Sequence, residues 1–433
     1  MTRPRPSSNL SILYLTTESP YPATSGGRVR SLAQLGLLSS LREVSRITVV
    51  SLREEPLQEN QVRELEKLFP KVVALPPVFH PIHLKQHPRY VPRVLWERAL
   101  GRPYLAGKWA SPRIERVVRS AARSRQFDIV YVDHLGMMRY APLLQELLPH
   151  ARVVLEQHNV ESDFFGQFAS RKRGVVGRIA KLEHALAEKY ERAELSRADH
   201  VVAISQEDAD RFEAMSGKKS TLVPQRVERR GAATFSPTLG TVLYVGNLGW
   251  HPNVAGLDWF FEKVWPSLRA EYPNVTMRVC GSGLKVGSDG RPVVPPLWQA
   301  QEKHGVTVVG FVDDLSPEYA RAAALAAPVV GGSGVRIKLL EGMAFGVPIV
   351  TTADGAKGLP LRDGIEMRVA ETPKAFAEAL GGLALDPALG AKLREGAFAY
   401  LEAFHGTAVA QARMRTALGL SPAATAQTDG GAP

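Results

Sequence analysis

The chain has 433 residues, 45% of them hydrophobic and 22% charged, a composition typical of a soluble globular protein with two or three domains. Its single cysteine, Cys280, excludes a disulfide framework and a cysteine-ligated zinc site, and it fits a reducing compartment. The net charge is +11, and no apolar run reaches the roughly 18 residues that a membrane-spanning helix needs.

The positive charge is concentrated in the first half of the chain. Residues 1–230 contain 37 Lys and Arg against 25 Asp and Glu, whereas residues 231–433 contain 17 against 18. Much of the excess lies between His83 and Arg125, where aromatic residues are interleaved with cations. Such a region suits an anionic membrane surface or a phosphorylated acceptor, and a solvated basic face fits equally well. Nucleic acid is disfavoured because no nucleic-acid-binding motif is present.

After a leader over residues 1–9 that we expect to be disordered, short Val- and Ile-rich segments alternate with helical patterns up to residue 230. The predicted strands of this region are 10–17, 46–52, 71–75, 128–133, 152–158 and 200–205. A long helix with a basic start is predicted over residues 171–198. This alternation indicates a parallel sheet with helices on both faces.

The periodicity lapses and restarts near residues 229–240, where we predict a domain boundary. Residues 231–400 repeat the alternation, with strands in the segments TVLYVG, VTMRVCG, VTVVGFV, LAAPVV and VPIVTT. A C-terminal helix is predicted over residues 401–420, with the option of crossing back to the first domain. Residues 421–433 are small and polar, and we expect them to be disordered.

Loops beyond the carboxyl ends of parallel strands are the expected binding elements of such sheets. Gly26 and Gly27 follow the first strand and precede a helix that we expect to begin near Arg28. Unobstructed backbone amides at a helix start can bind an anion. Taken alone, the paired glycines fit a plain turn better.

The segment GGSGVRIKLLEGMAF carries a stronger pattern. If the chain is helical from Val335 onward, the amides from Gly334 to Arg336 lie at the positive end of the helix dipole. Arg336 and Lys338 then add a guanidinium fork and a charge that suit a diphosphate without a metal. Glu341 lies at least one turn further on and suits the hydroxyls of a ribose. A Gly-rich loop with surface cations and a helix-capping acid is the alternative.

The order of these motifs resembles the retaining glycosyltransferases of family 4, over residues 10–420. The segments that carry the resemblance are SGGRVRSLAQL, VLEQHNVES, ADHVVAISQED, VGNLGWHPNVAGLDWF, VCGSG, VTVVGFVDDL and GGSGVRIKLLEGMAFGVPIVTTADGAKGL. The resemblance implies an α/β protein with the GT-B fold, in which two Rossmann-like doubly wound parallel-sheet domains face each other across a cleft. The first domain would bind the acceptor, and the second would bind a nucleotide-diphosphate sugar.

The resemblance also implies roles for individual residues. Arg336 and Lys338 look like the diphosphate contacts, and Glu341 looks like the ribose-binding acid. Gly26 and Gly27 would close over the phosphates and the sugar. The rest of the implied donor site consists of Gly246, Asn247 and Leu248 facing the diphosphate, Phe311 and Val312 holding the base through their backbone, and Ser333, Gly334 and Val335 in the phosphate loop.

Two positions depart from the family pattern. The family signature has two glutamates separated by seven residues, and here the second is Glu341 while Ser333 occupies the first position. The first glutamate usually lies near the donor sugar, so the identity of the sugar stays open. Lys357 stands where such sequences often carry glutamate.

Histidines follow two of the predicted strands. In the family that the chain resembles, a histidine at the place of His134 contacts the reacting sugar or the acceptor, so we expect it to act in catalysis with Arg336 and Lys338. A packed or capping role is the alternative for His134. His158 ends the next strand and fits either an acceptor site or a structural loop network. Asp313 and Asp314 are adjacent and fit a helix N-cap better than a metal pair, so we expect no metal and no other cofactor.

We therefore expect a retaining, metal-independent glycosyltransferase that moves a sugar from a UDP- or GDP-sugar to an acceptor hydroxyl. The expected acceptor is a glycan, a lipid-linked glycan or a small molecule, and the product is a cell-surface polysaccharide, lipopolysaccharide or other glycoconjugate. The expected location is the cytoplasm or the inner face of the cytoplasmic membrane. Two alternatives stay open: a nucleotide-sugar 2-epimerase with the same fold, and a non-catalytic sugar-nucleotide-binding partner of a glycan assembly complex.

Overall fold

The computed structural model describes residues 9–23, 25–54, 60–81, 87–170, 173–230, 236–288, 290–331 and 336–421. The chain divides into two compact units. The first, the N-terminal unit, runs up to Pro224 and resumes at Ala408, and the second, the C-terminal unit, is Gln225–Thr407. The leader 1–9 and the tail 421–433, both predicted to be disordered, fall almost entirely outside the described residues.

The N-terminal unit is built on a parallel sheet. Its strands are β1 (Leu10–Thr16), β2 (Val44–Val50), β3 (Leu52–Arg53), β4 (Val72–Ala74), β5 (Val78–Phe79), β6 (Ile129–Asp133), β7 (Arg152–Glu156), β8 (His200–Ala203) and β9 (Ser220–Leu222). The main sheet has the order β4-β2-β1-β6-β7-β8-β9, and β3 pairs with β5 in a separate two-stranded sheet. All five residues of β6 are buried, as expected of a central strand covered by helices on both faces.

Helices connect these strands. They are α1 (Gly26–Ser40), α2 (Gln61–Leu68), α3 (Val91–Ala99), α4 (Tyr104–Lys108), α5 (Pro112–Ser124), α6 (Ala141–Leu147), α7 (Glu161–Ser170), α8 (Gly174–Arg197) and α9 (Gln206–Ser216), with 3₁₀ turns at Pro88–Tyr90 and Leu135–Tyr140. The start of α1 differs from the prediction. The Ser25 side chain accepts a hydrogen bond from the Arg28 amide and caps the helix, so Gly26 and Gly27 form its first turn instead of preceding it.

The C-terminal unit contains a second parallel sheet, with the order β12-β11-β10-β13-β14-β15. Its strands are β10 (Thr238–Val245), β11 (Thr276–Cys280), β12 (Val306–Gly310), β13 (Ala322–Ala327), β14 (Ile349–Thr351) and β15 (Arg368–Val369). Its helices are α10 (His251–Trp259), α11 (Trp265–Glu271), α12 (Pro296–Gln299), α13 (Ser316–Arg321), α14 (Ile337–Phe345), α15 (Ala353–Ala356), α16 (Pro373–Leu385) and α17 (Pro387–Tyr400), with π-helical segments at Phe260–Val264 and Leu401–His405 and a 3₁₀ turn at Glu302–His304.

Two predicted elements of this unit begin or end elsewhere. The strand expected in LAAPVV is Ala322–Ala327, and it stops before Pro328 because proline has no amide to donate to a neighbouring strand. The helix expected from Val335 begins at Ile337, with Arg336 as its N-cap residue.

The limits of the C-terminal unit also differ from the predicted boundaries at residues 230 and 400. The linker that enters the unit is fixed to its far end, because the Val227 amide donates to the His405 carbonyl at 3.1 Å. Nδ1 of His405 in turn lies 2.8 Å from the Gln225 carbonyl oxygen. The C-terminal unit therefore begins at Gln225 and ends at Thr407, so it extends beyond the predicted limits at both ends.

The last helix, α18 (Thr407–Leu418), packs in the N-terminal unit. Its buried residues Ala410, Met414, Ala417 and Leu418 belong to the hydrophobic cluster that covers one face of the first sheet. Gln411 adds a hydrogen bond from its amide nitrogen to the Ser40 hydroxyl, at 2.9 Å. Among the residues described, no helix is long and apolar enough to cross a membrane.

A buried carboxylate joins α1 to the sheet. Glu156, the last residue of β7, is fully buried and accepts hydrogen bonds from Arg30 Nε at 2.7 Å, Gln34 at 2.9 Å and the Tyr131 hydroxyl at 2.6 Å. Arg30 also donates to the Val223 carbonyl at 2.7 Å. A charge taken out of water this completely needs such compensation.

We expect Glu156→Gln to lower the free energy of unfolding by about 3 to 5 kcal/mol, because the Arg30 guanidinium would stay buried without its counter-charge. Urea denaturation followed by intrinsic fluorescence measures this loss. Glu115→Gln is the matched control, since its pair with Arg119 is largely exposed at 3.2 Å and such pairs contribute at most about 1 kcal/mol. Equal losses of unfolding free energy in the two variants would show that the buried network contributes no more to stability than an exposed ion pair.

Candidate functional site

The backbone is strained where β6 ends. His134 follows Asp133 with φ of 80°, and it is the only non-glycine residue of the described chain with positive φ. Its amide donates to the Glu156 carbonyl at 3.0 Å, which holds it beside the end of β7. Positive φ in a residue with a side chain is unfavourable and concentrates at functional sites. The backbone conformation therefore indicates His134 as a candidate functional residue, independently of the sequence pattern.

Asp133 brings the two predicted histidines together. Its carboxylate is fully buried, and Oδ1 lies 3.0 Å from Nδ1 of His134 and 2.8 Å from Nε2 of His158. The two imidazole rings are 3.8 Å apart between centroids. Neither nitrogen is aligned for a hydrogen bond to Oδ1 despite these short distances. On the other oxygen, Oδ2 accepts hydrogen bonds from the hydroxyls of Tyr14, at 2.9 Å, and Ser31.

The charges of this trio follow from burial and mutual contact. Burial disfavours the imidazolium of His134, but the adjacent Asp133 carboxylate outweighs it and, with smaller contributions from Glu161 and Glu18, raises the pKa of His134 to about 9. Burial and the neighbouring His134 charge lower the pKa of His158. Burial opposes ionisation of Asp133, yet the two histidines hold its pKa well below the usual range. At neutral pH the trio is an imidazolium, a carboxylate and a neutral imidazole.

The same atoms form the one cluster of potential metal ligands found among the described residues. One atom from each of Asp133, His134 and His158 lies within 4.8 Å of the others. Two imidazole nitrogens and a carboxylate oxygen are a donor set that zinc accepts. In the sequence, only Asp313 and Asp314 suggest a metal pair. Asp314 instead accepts a hydrogen bond at 2.9 Å from the amide of Ser316, the first residue of α13.

The start of α1 faces this trio. A β-carbon added at Gly27 would lie 3.9 Å from Nε2 of His134. The amides of the first helical turn and the imidazolium of His134 are therefore close enough to act on one anionic or hydroxylated group. Gly26, by contrast, has no atom within 4 Å of the corresponding position and lies at the surface.

The C-terminal unit contains a buried lysine. Lys338 lies in the first turn of α14 and is 9% exposed. Its ammonium nitrogen is 3.1 Å from Oδ1 of Asn253, 3.5 Å from the Tyr244 hydroxyl and 4.7 Å from the centre of the Tyr244 ring. Burial, and then the charge of Arg336, lower the pKa of Lys338 to about 7. All of these partners are uncharged, so the lysine is only partly protonated at neutral pH.

Arg336 is held at the helix start. Its guanidinium donates to the Gly331 carbonyl at 3.1 Å, while the Gly331 amide donates to Asp354 at 2.8 Å. Lys357, the second departure from the family pattern, pairs with the same Asp354 at 3.2 Å. These contacts hold Gly331 and Arg336, the described residues on either side of 332–335. The predicted binding residues Ser333, Gly334 and Val335 lie outside the described residues.

Glu341 lies one turn after Lys338 on α14. Its Oε2 accepts a hydrogen bond from the Tyr319 hydroxyl at 3.2 Å, and Tyr319 stacks on Phe345 with ring centroids 4.7 Å apart. Burial raises the pKa of the Glu341 carboxyl.

The loops after β10 and β11 pack against each other. The Gly246 amide donates to the Cys280 carbonyl at 3.1 Å, and the Leu248 amide donates to the Ser282 carbonyl at 2.6 Å. Gly281 has to be glycine, since a β-carbon there would lie 1.7 Å from the Gly246 carbonyl oxygen. Leu248 is a core residue at 2% exposure. The amides of Gly246 and Leu248 are thus used within the protein, which limits their predicted role toward the diphosphate.

The remaining predicted donor residues lie at the surface of the same unit. The Asn247 side chain accepts from the Gly249 amide at 2.9 Å, so it shapes the turn after β10. Phe311 and Val312 follow β12, where Phe311 is largely exposed and Val312 is partly buried against the hydrophobic cluster around α14.

Sequence reasoning missed Asp133, Tyr244 and Asn253. Tyr244 and Asn253 lie 94 and 85 residues from Lys338 in the chain, so no local spacing connects them. Asp133 does have a signal, since it is an acid at the end of a fully apolar strand immediately before a candidate histidine.

Comparison with known proteins places the chain among glycosyltransferases. The family described as glycosyl transferases group 1 matches residues 240–386, and the family described as Glycosyltransferase Family 4 matches residues 45–228. A curated relative from Klebsiella pneumoniae, an uncharacterized 44.6 kDa protein in the cps region, is 22% identical over 371 residues, which cover 85% of this chain and 89% of the relative.

Solved structures share the fold over nearly the whole chain. The sucrose-phosphate synthase of Thermosynechococcus elongatus is 15% identical with a TM-score of 0.66, and the match covers 94% of this chain and 98% of the other. The HepE protein of Anabaena, solved with UDP and glucose, is 14% identical with a TM-score of 0.63 and coverage of 95% and 99%. The predicted α/β fold of the GT-B class, with two parallel-sheet domains, is confirmed.

We expect Lys338→Met to raise the melting temperature of the unliganded protein below pH 7, because methionine removes a buried ammonium group that lacks a counter-charge. An unfolded lysine keeps its proton to about pH 10.4, so the wild-type protein gains stability as the pH rises from about 7 to that value. The advantage of the variant should therefore shrink over this range in thermal-shift measurements. Lys374→Met, at a highly exposed position, is the control and should show no such trend; a pH-independent difference at Lys338 would contradict the assignment.

Proposed function

Because the chain belongs to the group 1 and family 4 glycosyltransferases, we propose that it moves a sugar from a nucleotide-diphosphate sugar to an acceptor hydroxyl, with retention and without a metal. The observation that carries this proposal is the buried ammonium group of Lys338, whose partners in the described chain are neutral. A buried cation of this kind destabilises the free protein until an anion binds. A diphosphate beside Lys338 and Arg336 supplies that anion.

The donor assignment uses the remaining groups of α14. Arg336 offers a planar fork for phosphate oxygens at the start of the helix, where the dipole also favours negative charge. Glu341, one turn further, offers a carboxylate oxygen to the ribose hydroxyls. The likeness to HepE, which was solved with UDP and glucose, supports a uridine nucleotide as the first choice, with a guanosine nucleotide as the second.

Catalysis follows from charge that develops as the donor breaks down. When the anomeric bond breaks, negative charge builds on the leaving β-phosphate, and preplaced cations stabilise that state more than the bound substrate. We assign this role to Lys338 and Arg336. The leaving phosphate then takes the proton of the acceptor hydroxyl as the new bond forms on the same face of the sugar, which accounts for retention without a covalent intermediate.

The N-terminal unit supplies the other polar group. We assign His134, as an imidazolium, to the reacting sugar or the acceptor, with Asp133 holding its charge and His158 packed against its ring. Gly27 and the first turn of α1 lie beside His134 and contribute backbone amides. In this assignment Asp133 and His158 are positioning residues, and the trio acts without bound zinc.

The acceptor proposal rests on charge and on one relative. The excess of cations in the first half of the chain suits a lipid-linked or phosphorylated glycan at an anionic membrane, on its cytoplasmic face. The relative from Klebsiella pneumoniae is described as a protein of the cps region. We therefore propose a cell-surface polysaccharide, lipopolysaccharide or related glycoconjugate as the product.

A donor-hydrolysis screen tests the activity before any acceptor is known. Each UDP- and GDP-sugar is incubated with the protein and followed by proton NMR, with and without a chelator. We expect slow release of nucleoside diphosphate from one donor, unchanged by the chelator. Epimerised sugar protons without release would indicate the 2-epimerase, and a complete lack of nucleotide binding in thermal-shift measurements would indicate the non-catalytic partner. Activity lost with the chelator and restored by zinc would overturn metal independence.

We expect Arg336→Ala to reduce turnover of that donor by about 2 to 4 kcal/mol of transition-state stabilisation, because a preplaced donor to the leaving phosphate is lost. Arg336→Lys should restore part of the rate, since it returns the charge without the fork. Lys392→Ala, at an exposed position of α17, is the control and should leave turnover unchanged. A wild-type rate in Arg336→Ala would refute the diphosphate assignment.

The pH dependence of the reaction should report two different groups. Turnover at saturating donor should fall as the pH rises through about 9, because His134 loses its proton there. The ratio kcat/KM, which reports the free enzyme, should fall from about pH 7, because unliganded Lys338 loses its charge there.

Asp133→Asn separates the two effects. It removes the carboxylate that raises the pKa of His134. The fall in turnover should therefore move toward about pH 6.5, the pKa of an unperturbed histidine. The fall in kcat/KM near pH 7 should persist. Glu18→Gln removes a smaller contribution to the pKa of His134 and is the control, which should shift the profile less than Asp133→Asn. An unshifted turnover profile in Asp133→Asn would show that His134 does not act as an imidazolium.

A further inference from the structure

Two neighbouring helices of the N-terminal unit expose large apolar side chains. On α3 and just after it, Leu95 is 62% exposed and Trp96 is 65% exposed, and Leu100 is similar. On the first half of α8, Ile179 is 59% exposed. The full set, which we call the apolar face, consists of Leu95, Trp96, Leu100, Val175, Val176, Ile179 and Leu182. So many exposed aliphatic and aromatic residues on two adjoining elements indicate an interaction surface.

Helical spacing gathers the exposed apolar residues of α8 on one side of that helix. Val175, Ile179 and Leu182 recur at intervals of four and three residues, which places them in one stripe of α8. The buried residues Gly177 and Ala180 lie on another side of the same helix. The first half of α8 therefore packs small residues against the protein and exposes large aliphatic residues, the reverse of an ordinary amphipathic helix.

An ion pair joins the two helices beside their apolar residues. Nε of Arg98 on α3 lies 3.4 Å from a carboxylate oxygen of Glu183 on α8. The same carboxylate accepts a hydrogen bond from the Tyr104 amide at the start of α4. Arg98 follows Leu95 by three residues and Glu183 follows Ile179 by four, so the pair links the two stripes into one surface.

Cations surround the apolar face. Arg178, Lys181 and Lys189 are exposed on α8, and Arg173 is exposed at its N-cap. Arg178 stands four residues before Leu182 and Lys189 stands seven after it, so both lie along the stripe. The nearby acids are engaged, since Glu183 pairs with Arg98, and Glu97 pairs with Arg102 at 2.6 Å and Arg139 at 2.7 Å. The surface thus combines exposed apolar side chains with net positive charge.

We propose that the apolar face docks on an anionic lipid bilayer, with α3 and the first half of α8 lying in the interfacial layer. Aliphatic side chains would enter the acyl boundary, Trp96 would lie at the headgroup level, and the lysines and arginines would reach the anionic headgroups. The cations select a bilayer over an apolar protein groove, because they follow the apolar stripe along its length. The inference deepens the proposed function, on which it rests for the idea of a membrane-borne acceptor.

Flotation of the full chain with vesicles tests the docking. We expect wild-type protein to float with vesicles of phosphatidylcholine and phosphatidylglycerol and to bind vesicles of phosphatidylcholine alone far less. The double variant Trp96→Ser with Ile179→Ser should bind the anionic vesicles at least about tenfold more weakly, since two large side chains leave the interface. Leu389→Ser, a similarly exposed leucine on α17, is the matched control and should bind like wild type.

The charge contribution has its own variant. Arg178→Gln should weaken binding to anionic vesicles by about fivefold, the change expected for one surface cation, and should leave binding to neutral vesicles unchanged. Lys374→Gln on the C-terminal unit is the control. All substituted positions are exposed, so the melting temperatures of the variants should match wild type and confirm that they fold.

Three results would overturn the docking proposal. They are wild-type protein that does not float, variants that float as well as wild type, and a wild-type oligomer in light scattering that becomes monomeric in the double variant, which would assign the face to a second copy of the chain. Donor hydrolysis in vesicle-free buffer is measured on the same proteins and should be equal in all of them. Its absence in wild type would refute the glycosyltransferase proposal while leaving the flotation result intact.

Discussion

The compensation of buried charge determines what each polar cluster in this protein can do. Glu156 is compensated fully by Arg30 and two neutral donors, and the result is a structural anchor between α1 and the sheet. Asp133 is shared between two imidazoles at short but poorly aligned distances, which keeps a charged histidine at the edge of the unit. Among the described residues, the hydrogen-bond partners of Lys338 are all uncharged. The three buried groups are thus compensated to decreasing degrees, and a less compensated charge costs more free energy to bury.

The fold was predictable from the sequence because its signals are local. Runs such as IVYVD and RVVLE are apolar throughout, which indicates strands buried on both faces, and each is followed by a helical pattern. Errors arose where one residue decides a boundary. Ser25 caps α1 two residues earlier than expected, and Pro328 ends β13 early. The strands β3, β5 and β15 span only two residues each, too few for a pattern to appear.

The candidate site was predictable only in part. His134 and His158 follow adjacent strands, and the parallel topology alone places them at the same sheet edge. The sequence predicts their shared partner Asp133 only as the end of a strand, because no local pattern indicates that its side chain contacts both rings. The uncharged partners of Lys338 are Tyr244 on β10 and Asn253 on α10, which contact it from distant segments of the chain. Contacts between distant segments leave no trace in periodicity.

The return of the chain to the N-terminal unit has a consequence for how the protein is made. The core of that unit includes Ala410, Met414, Ala417 and Leu418 of α18, which pack with Leu35 and Leu38 of α1. On the ribosome, α1 emerges long before α18, because the whole of Gln225–Thr407 is synthesised between them. Synthesis of residues 225–407 alone takes roughly 10 to 40 s at about 5 to 20 residues per second. During that time the unit has an open apolar surface, and a chaperone bound there would have to leave before α18 could take its place.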